Sequence, residues 1–191
     1  MKIKKLILAL LLVLEPCVLV AQRITIEKEQ YFSVYDIGLQ CPVQVEWEVC
    51  AADLGAAKRK ASWRFRNDIG HPSALANHDD FTKSGFQRGH LCPAADRSCS
   101  LVDIKQTFSM SNVVPQWPAL NTGAWKATEI AVRNAVLLGD TISIVTIPVF
   151  LDRDTIRIGA HGVAVPHAFF KAAWCSGNDS IIGSWFFFNH R

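Results

Sequence analysis

The sequence predicts an α+β fold with a mainly antiparallel sheet, and three stretches carry that reading. Val43-Gln-Val-Glu-Trp-Glu-Val49 alternates apolar and polar residues, which puts Val43, Val45, Trp47 and Val49 on one face of a half-buried strand. From Ala124 to Leu138, the residues Trp125, Ala127, Ile130, Ala131, Ala135 and Leu138 recur at helical spacing and the run stops at Gly139, so a helix is expected there. Thr141 to Phe150 is apolar and β-branched enough for a buried strand. Strands grouped on either side of a helix, rather than alternating with helices, favour α+β over a parallel α/β sheet.

The remaining elements follow in chain order. Met1-Lys-Ile-Lys-Lys5 is a basic start, Leu6 to Leu14 is apolar, and Val18-Leu-Val-Ala21 offers small residues before a cut near Gln22. Residues 1–21 therefore read as a signal peptide, and 22–191 as a single domain that is secreted or periplasmic. Glu15 and Pro16 interrupt the apolar run well short of the roughly 20 residues a spanning helix needs, so no stable membrane insertion is expected. Leu54 to Asn67 holds Lys58, Arg59, Lys60, Arg64 and Arg66 interleaved with Trp63 and Phe65, which suits either a solvated surface or one wall of a phosphate-binding groove. His71 to Gly85 is rich in Pro, Asn, Asp, Ser and Gly and reads as a long loop. After Phe150, Asp152-Arg-Asp154 reads as a turn into Thr155–Ile158, with further strands around Phe169–Trp174 and Ile181–Phe188.

Composition narrows the function. The chain has 191 residues, 50% of them hydrophobic and 19% charged, an ordinary globular balance. Cleavage would remove Lys2, Lys4, Lys5 and Glu15 and take the formal charge from +3 to +1. A general polycation is excluded, and nucleic acid could be bound only through a local basic groove and a metal. Cys41, Cys50, Cys92, Cys99 and Cys175 would remain, an odd number. Cys41 with Cys50 and Cys92 with Cys99 are the sequence-local pairings, though spacing does not dictate connectivity. A zinc site of His90, Cys92 and Cys99 lacks the usual ligand rhythm.

The densest polar motifs are Gln87-Arg-Gly-His90, Asn112-Val-Val-Pro-Gln116 and Asn121-Thr-Gly-Ala-Trp125, followed by Glu129 and Arg133. With Asp80-Phe-Thr-Lys-Ser-Gly-Phe leading into the first, the chain resembles the DNA/RNA non-specific endonucleases of the ββα-metal nuclease superfamily from about Tyr31 to Phe188. The resemblance implies a ββα-metal active-site motif. It makes His90 the general base, Arg88 and Arg133 phosphate contacts, Asn121 the protein ligand of Mg²⁺ or Mn²⁺, and Glu129 the group orienting metal-bound water. It also implies a further arginine upstream, for which Arg59, Arg64 and Arg66 compete.

The implied reaction is hydrolysis of phosphodiester bonds in DNA, with RNA a second candidate substrate, and with little sequence preference. A catalytically inactive nucleic-acid-binding remnant is the competing reading. The chemistry independently asks for these residue types. A neutral imidazole with an unperturbed pKa of about 6.5 can take a proton from water, guanidinium matches two phosphate oxygens, and a hydrated hard cation suits an oxygen ligand. Because a continuous helix over 121–129 would separate Asn121 from Glu129 by about 12 Å, the helix is expected to begin after Thr122-Gly123 with Asn121 in a lead-in loop. Glu129 and Arg133 would then share a face, where a simple surface ion pair is the plainer alternative. Gln87 stands where the family usually has Asp, Lys83 where glycine is common and Phe86 where tyrosine is common. Related chains continue past the strand that ends at Phe188, so the domain is expected to be short at its C-terminus.

Overall fold

The alternating stretches pair into one six-stranded antiparallel sheet. The computed structural model describes residues 23–67, 76–151 and 155–190, so the signal reading at 1–21 and the turn at Asp152-Arg-Asp154 lie outside the described residues. The sheet is built from β1 (Arg23–Glu27), β2 (Phe32–Asp36), β3 (Cys41–Val49), β6 (Ile142–Val149), β9 (Ala168–Cys175) and β10 (Ile181–Phe188), in the order β1-β2-β3-β6-β9-β10. Two smaller hairpins join β4 (Gln87–His90) to β5 (Val113–Gln116), and β7 (Arg157–Ile158) to β8 (Val163–Ala164). The helices are α1 (Leu101–Gln106), α2 (Pro118–Thr122) and α3 (Ala124–Val136). None of the described helices is long and apolar enough to cross a membrane.

Strand β3 buries Val45, Trp47 and Val49 as the alternation requires, but Val43 does not join them. Val34 pairs with Gln44 while Tyr35 pairs with Pro42, so an extra residue on β3 makes a bulge at Val43 and shifts it off the buried face. Helix α3 begins after Gly123 as expected, yet its buried residues are Trp125, Thr128, Val132 and Val136. Ile130 and Leu138, expected inside, are exposed. The sheet decides the rotation: Trp125 packs edge-on against Phe169 of β9 and Phe187 of β10 at 5.2 and 5.5 Å, and the next residues one turn on follow it inward. Asn121 also departs from expectation, since it sits in the short helix α2 rather than in a loop; Gly123 separates α2 from α3 and lets the chain turn between them.

All five described cysteines are free. Cys41 and Cys50 bracket β3, so their Cα atoms are roughly 30 Å apart along an extended strand, far beyond the ~6 Å of a disulfide. Cys92 is buried with its sulfur toward the Gln30 carbonyl at 4.0 Å, whereas Cys99 is exposed against Asp103 at 3.2 Å. Neither sequence-local pairing forms among the described residues.

Candidate active site

The β4–β5 hairpin followed by α2 and α3 is a ββα unit, and it carries the motif residues. Arg88 and His90 lie on β4 on either side of Gly89. Glycine is required between them: a Cβ there would lie 2.1 Å from Oε1 of Gln116, whose side chain is fully buried across the hairpin and cannot swing away into solvent. Asn112 pins the end of β4, accepting from the Cys92 N–H at 2.8 Å and donating to the Cys92 and Thr107 carbonyls.

The loop before β4 contains a one-turn 3-10 helix, His78–Phe81, capped by Asn77. Buried Asp80 ties this turn down. Its carboxylate accepts from the Asn77 and His161 N–H groups and lies 2.9 Å from His161 Nδ1, and these bonds hold its pKa below the usual carboxylate range against the opposing effect of burial. The fixed turn then receives Arg88, which donates to the His78 carbonyl at 2.7 and 3.0 Å and to Thr82 Oγ1 at 3.0 Å. Lys83 in the same loop has φ +59, a left-handed conformation that favours glycine and accounts for glycine being usual there.

The His90 ring is wedged between Phe65 and Phe108, each centroid 4.8 Å away, and its Nε2 is buried with no partner among the described residues. Desolvation, helped by the charge of Arg59, pushes its pKa down to about 3. The ring is therefore neutral across the physiological range. Among the three upstream arginines, Arg59 is the one whose charge acts on His90; Arg64 acts on His78 and Arg88 and pairs with exposed Asp79, while Arg66 lines a surface notch with Lys105 and Phe108.

Asn121 is brought to the hairpin by a hydrogen bond from its Nδ2 to Gln87 Oε1 at 2.7 Å. That bond fixes which end of the amide faces β4 and leaves Oδ1 without a hydrogen bond among the described residues. Gln87, at the position where Asp is usual, supplies the acceptor without a charge.

Glu129 and Arg133 do share a face of α3, but they do not form a surface ion pair with each other. Arg133 donates to Asp96 Oδ1 at 2.7 Å, and the other oxygen of that buried carboxylate accepts from Trp47 Nε1 at 3.0 Å. Beneath them Lys171 is buried on the inward face of β9, with Nζ 3.8 Å from the Trp125 ring centroid. Burial lowers its pKa while Glu129 and Asp96 support the charged form. Burial likewise pushes Glu129 up to about 7, with Lys171 the main opposing influence. Sequence reasoning did not identify Asp96, Lys171, Asp80 or His161 as parts of this assembly. A signal existed for Lys171, because period two places it on the same strand face as Phe169 and Ala173.

The comparisons agree with this architecture. A family profile described as DNA/RNA non-specific endonuclease matches residues 17–187. The chain is 36% identical over 154 residues to human mitochondrial endonuclease G, covering 75% of this chain and 52% of that protein. It is 31% identical over 121 residues to a nuclease of Nostoc sp., covering 63% and 44%. It thus spans about half the length of the curated relatives it matches. A chain in the crystal structure of the EndoG/EndoGI complex shares the fold with a TM-score of 0.77 at 24% identity, over 87% of this chain and 74% of that one. With the profile covering nearly the whole described domain and the ββα unit carrying its motifs, the chain belongs to the DNA/RNA non-specific endonuclease family.

Proposed function

We propose that this protein is a metal-dependent endonuclease that hydrolyses phosphodiester bonds of DNA, with RNA a second substrate, and with little sequence preference. The observation that carries the reading is the meeting of His90, Arg88 and Asn121 on one ββα unit, with Gln87 holding the Asn121 amide. Asn121 fits a hard cation: its Oδ1 is an oxygen donor, and one neutral ligand suits an ion that keeps most of its water, as Mg²⁺ or Mn²⁺ does. The bound cation would stabilise the negative charge that develops on the phosphate and departing oxygen.

The chain's own residues account for the rest. His90 takes the proton from the attacking water, and the charge of an arriving phosphate raises its pKa from the low value set by burial. Arg88 has its Nε and Nη2 committed to His78 and Thr82, which orients the guanidinium toward phosphate. Arg133 is steadied by Asp96 for a second phosphate contact, and Glu129 would orient water beside the cation.

The test is nicking of supercoiled plasmid: EDTA should abolish it and Mg²⁺ or Mn²⁺ restore it, whereas full activity in excess chelator would overturn the metal assignment. Gln87→Leu should weaken Mn²⁺ binding, read directly by electron paramagnetic resonance, by about 10–100-fold, because it removes the partner that orients the ligand. Unchanged Mn²⁺ affinity in that variant would mean that Gln87 does not position Asn121. Export with processing near Gln22 belongs to the same reading, supported by the basic and apolar start of the chain. The N-terminal sequence of protein recovered outside the cytoplasm tests it.

A further inference from the structure

Phe108 links His90 to a second feature on the surface. Trp63 also packs edge-on against the Phe108 ring, at 5.5 Å, and remains partly exposed, which places the indole within roughly 10 Å of the His90 ring. Arg66 lies next to it, its backbone fastened to Phe108 and Met110 by hydrogen bonds of 3.0 and 2.9 Å. From there a trough of about 420 Å³ runs between Lys28, Arg66, Lys105 and Phe108, and a notch of about 100 Å³ walled by Trp63 and Arg64 opens into the same residues.

Two carboxylates lie near the trough, each hydrogen-bonded by neutral partners, and neither is among the residues that wall it. Asp103 is held by Ser100, Cys99 and Gln30, and Glu29 accepts from Gln106 at 3.2 Å. The charged side chains that wall the trough are Lys28, Arg66 and Lys105, so it presents cations beside an aromatic face. That pairing suits one class of ligand: cations track a phosphate backbone, and an accessible aromatic ring stacks on a base only when the base is unpaired.

We propose that this trough binds a single-stranded segment of nucleic acid flanking the bond to be cleaved, with Trp63 the platform for an unpaired base and Arg66 and Lys105 contacts to the adjoining phosphates. The inference rests on the proposed nuclease reading, but its test does not need cleavage. Binding of a fluorescent 12-nucleotide single strand and of a 12-base-pair blunt duplex is measured by anisotropy in EDTA, and plasmid nicking with Mg²⁺ is measured separately.

Trp63→Ala should weaken the single strand by about 10-fold and the duplex by no more than about twofold, with Trp63→Phe restoring most of the loss, since one base stack is removed. The exposed double variant Arg66→Gln/Lys105→Gln, which spares the aromatic packing, should reduce the salt slope for the single strand by about 1.4, the value for two phosphate contacts. Equal losses on both substrates in Trp63→Ala, or an unchanged salt slope in the double variant, would overturn the trough. If wild-type protein failed to nick plasmid yet showed the expected binding pattern, the trough would stand and the nuclease reading would fall. Normal nicking with unaltered binding in both variants would do the reverse.

Discussion

Replacing His90 with alanine should lower turnover by roughly 10²–10⁴-fold while leaving Mn²⁺ binding intact, because the variant loses a positioned base and not the Asn121 ligand. The space between Phe65 and Phe108 would then admit free imidazole, which should restore part of the rate. Asn121→Ala should lose both activity and Mn²⁺ binding, and imidazole should not help it. The pH dependence separates the groups further. Burial holds His90 down to about 3 in the free protein, so an acid limb of kcat/KM close to neutrality belongs to Glu129, which burial raises to about 7. Glu129 is protonated below that value, so activity should rise as pH increases through it. Saturating Mg²⁺ should move the limb to lower pH by favouring the carboxylate. A fully active His90→Ala, or equal imidazole rescue of both variants, would place the base elsewhere.

The second large effect is expected at Asp96. Its side chain is only 2% exposed and accepts from Arg133 and Trp47, with the buried Lys171 ammonium close enough to act on it electrostatically. Asp96→Ala leaves Arg133 without its carboxylate partner and Lys171 with Glu129 alone, and removing one partner from a buried ionic group typically costs about 3–5 kcal/mol. Urea denaturation should register that loss. The rate should fall as well, since Arg133 would no longer be held on the face of α3 that Glu129 shares. Asp96→Asn keeps an acceptor for one of the two donors and should be damaged less in both measurements. If Asp96→Ala were as stable and as active as the parent, the buried pair would not be positioning Arg133.

Much of the sheet was legible because a strand half-buried on one side leaves a period of two. Thus Val45, Trp47 and Val49 announce β3; β6 shows instead as the apolar, β-branched run from Thr141 to Phe150, and a strand was also expected at Ile181–Phe188. Arg23-Ile-Thr-Ile-Glu27 carries the same alternation, but it abuts the expected cleavage site and β1 was missed. Phe32–Asp36 was obscured differently, because its inward positions include Ser33 beside Tyr35. Helical periodicity located α3 but not its rotation: Ile130 and Leu138 fit an apolar stripe as well as Thr128 and Val132 do. Only the aromatic contacts of Trp125 with β9 and β10 choose between them.

What the sequence determined alone is the inventory of chemistry and its order along the chain: Arg88, His90, Asn121, Glu129 and Arg133 in motifs that mark the family. Tertiary structure decided the state and the aim of those groups. Neutral His90 follows from two phenylalanines and Arg59, the orientation of Asn121 follows from Gln87 34 positions away, and Arg133 answers to Asp96 37 positions away. Asp80 and His161, 81 positions apart, hold the turn that receives Arg88. Desolvation and hydrogen-bond geometry depend on neighbours in space, and a motif read along the chain contains only neighbours in sequence.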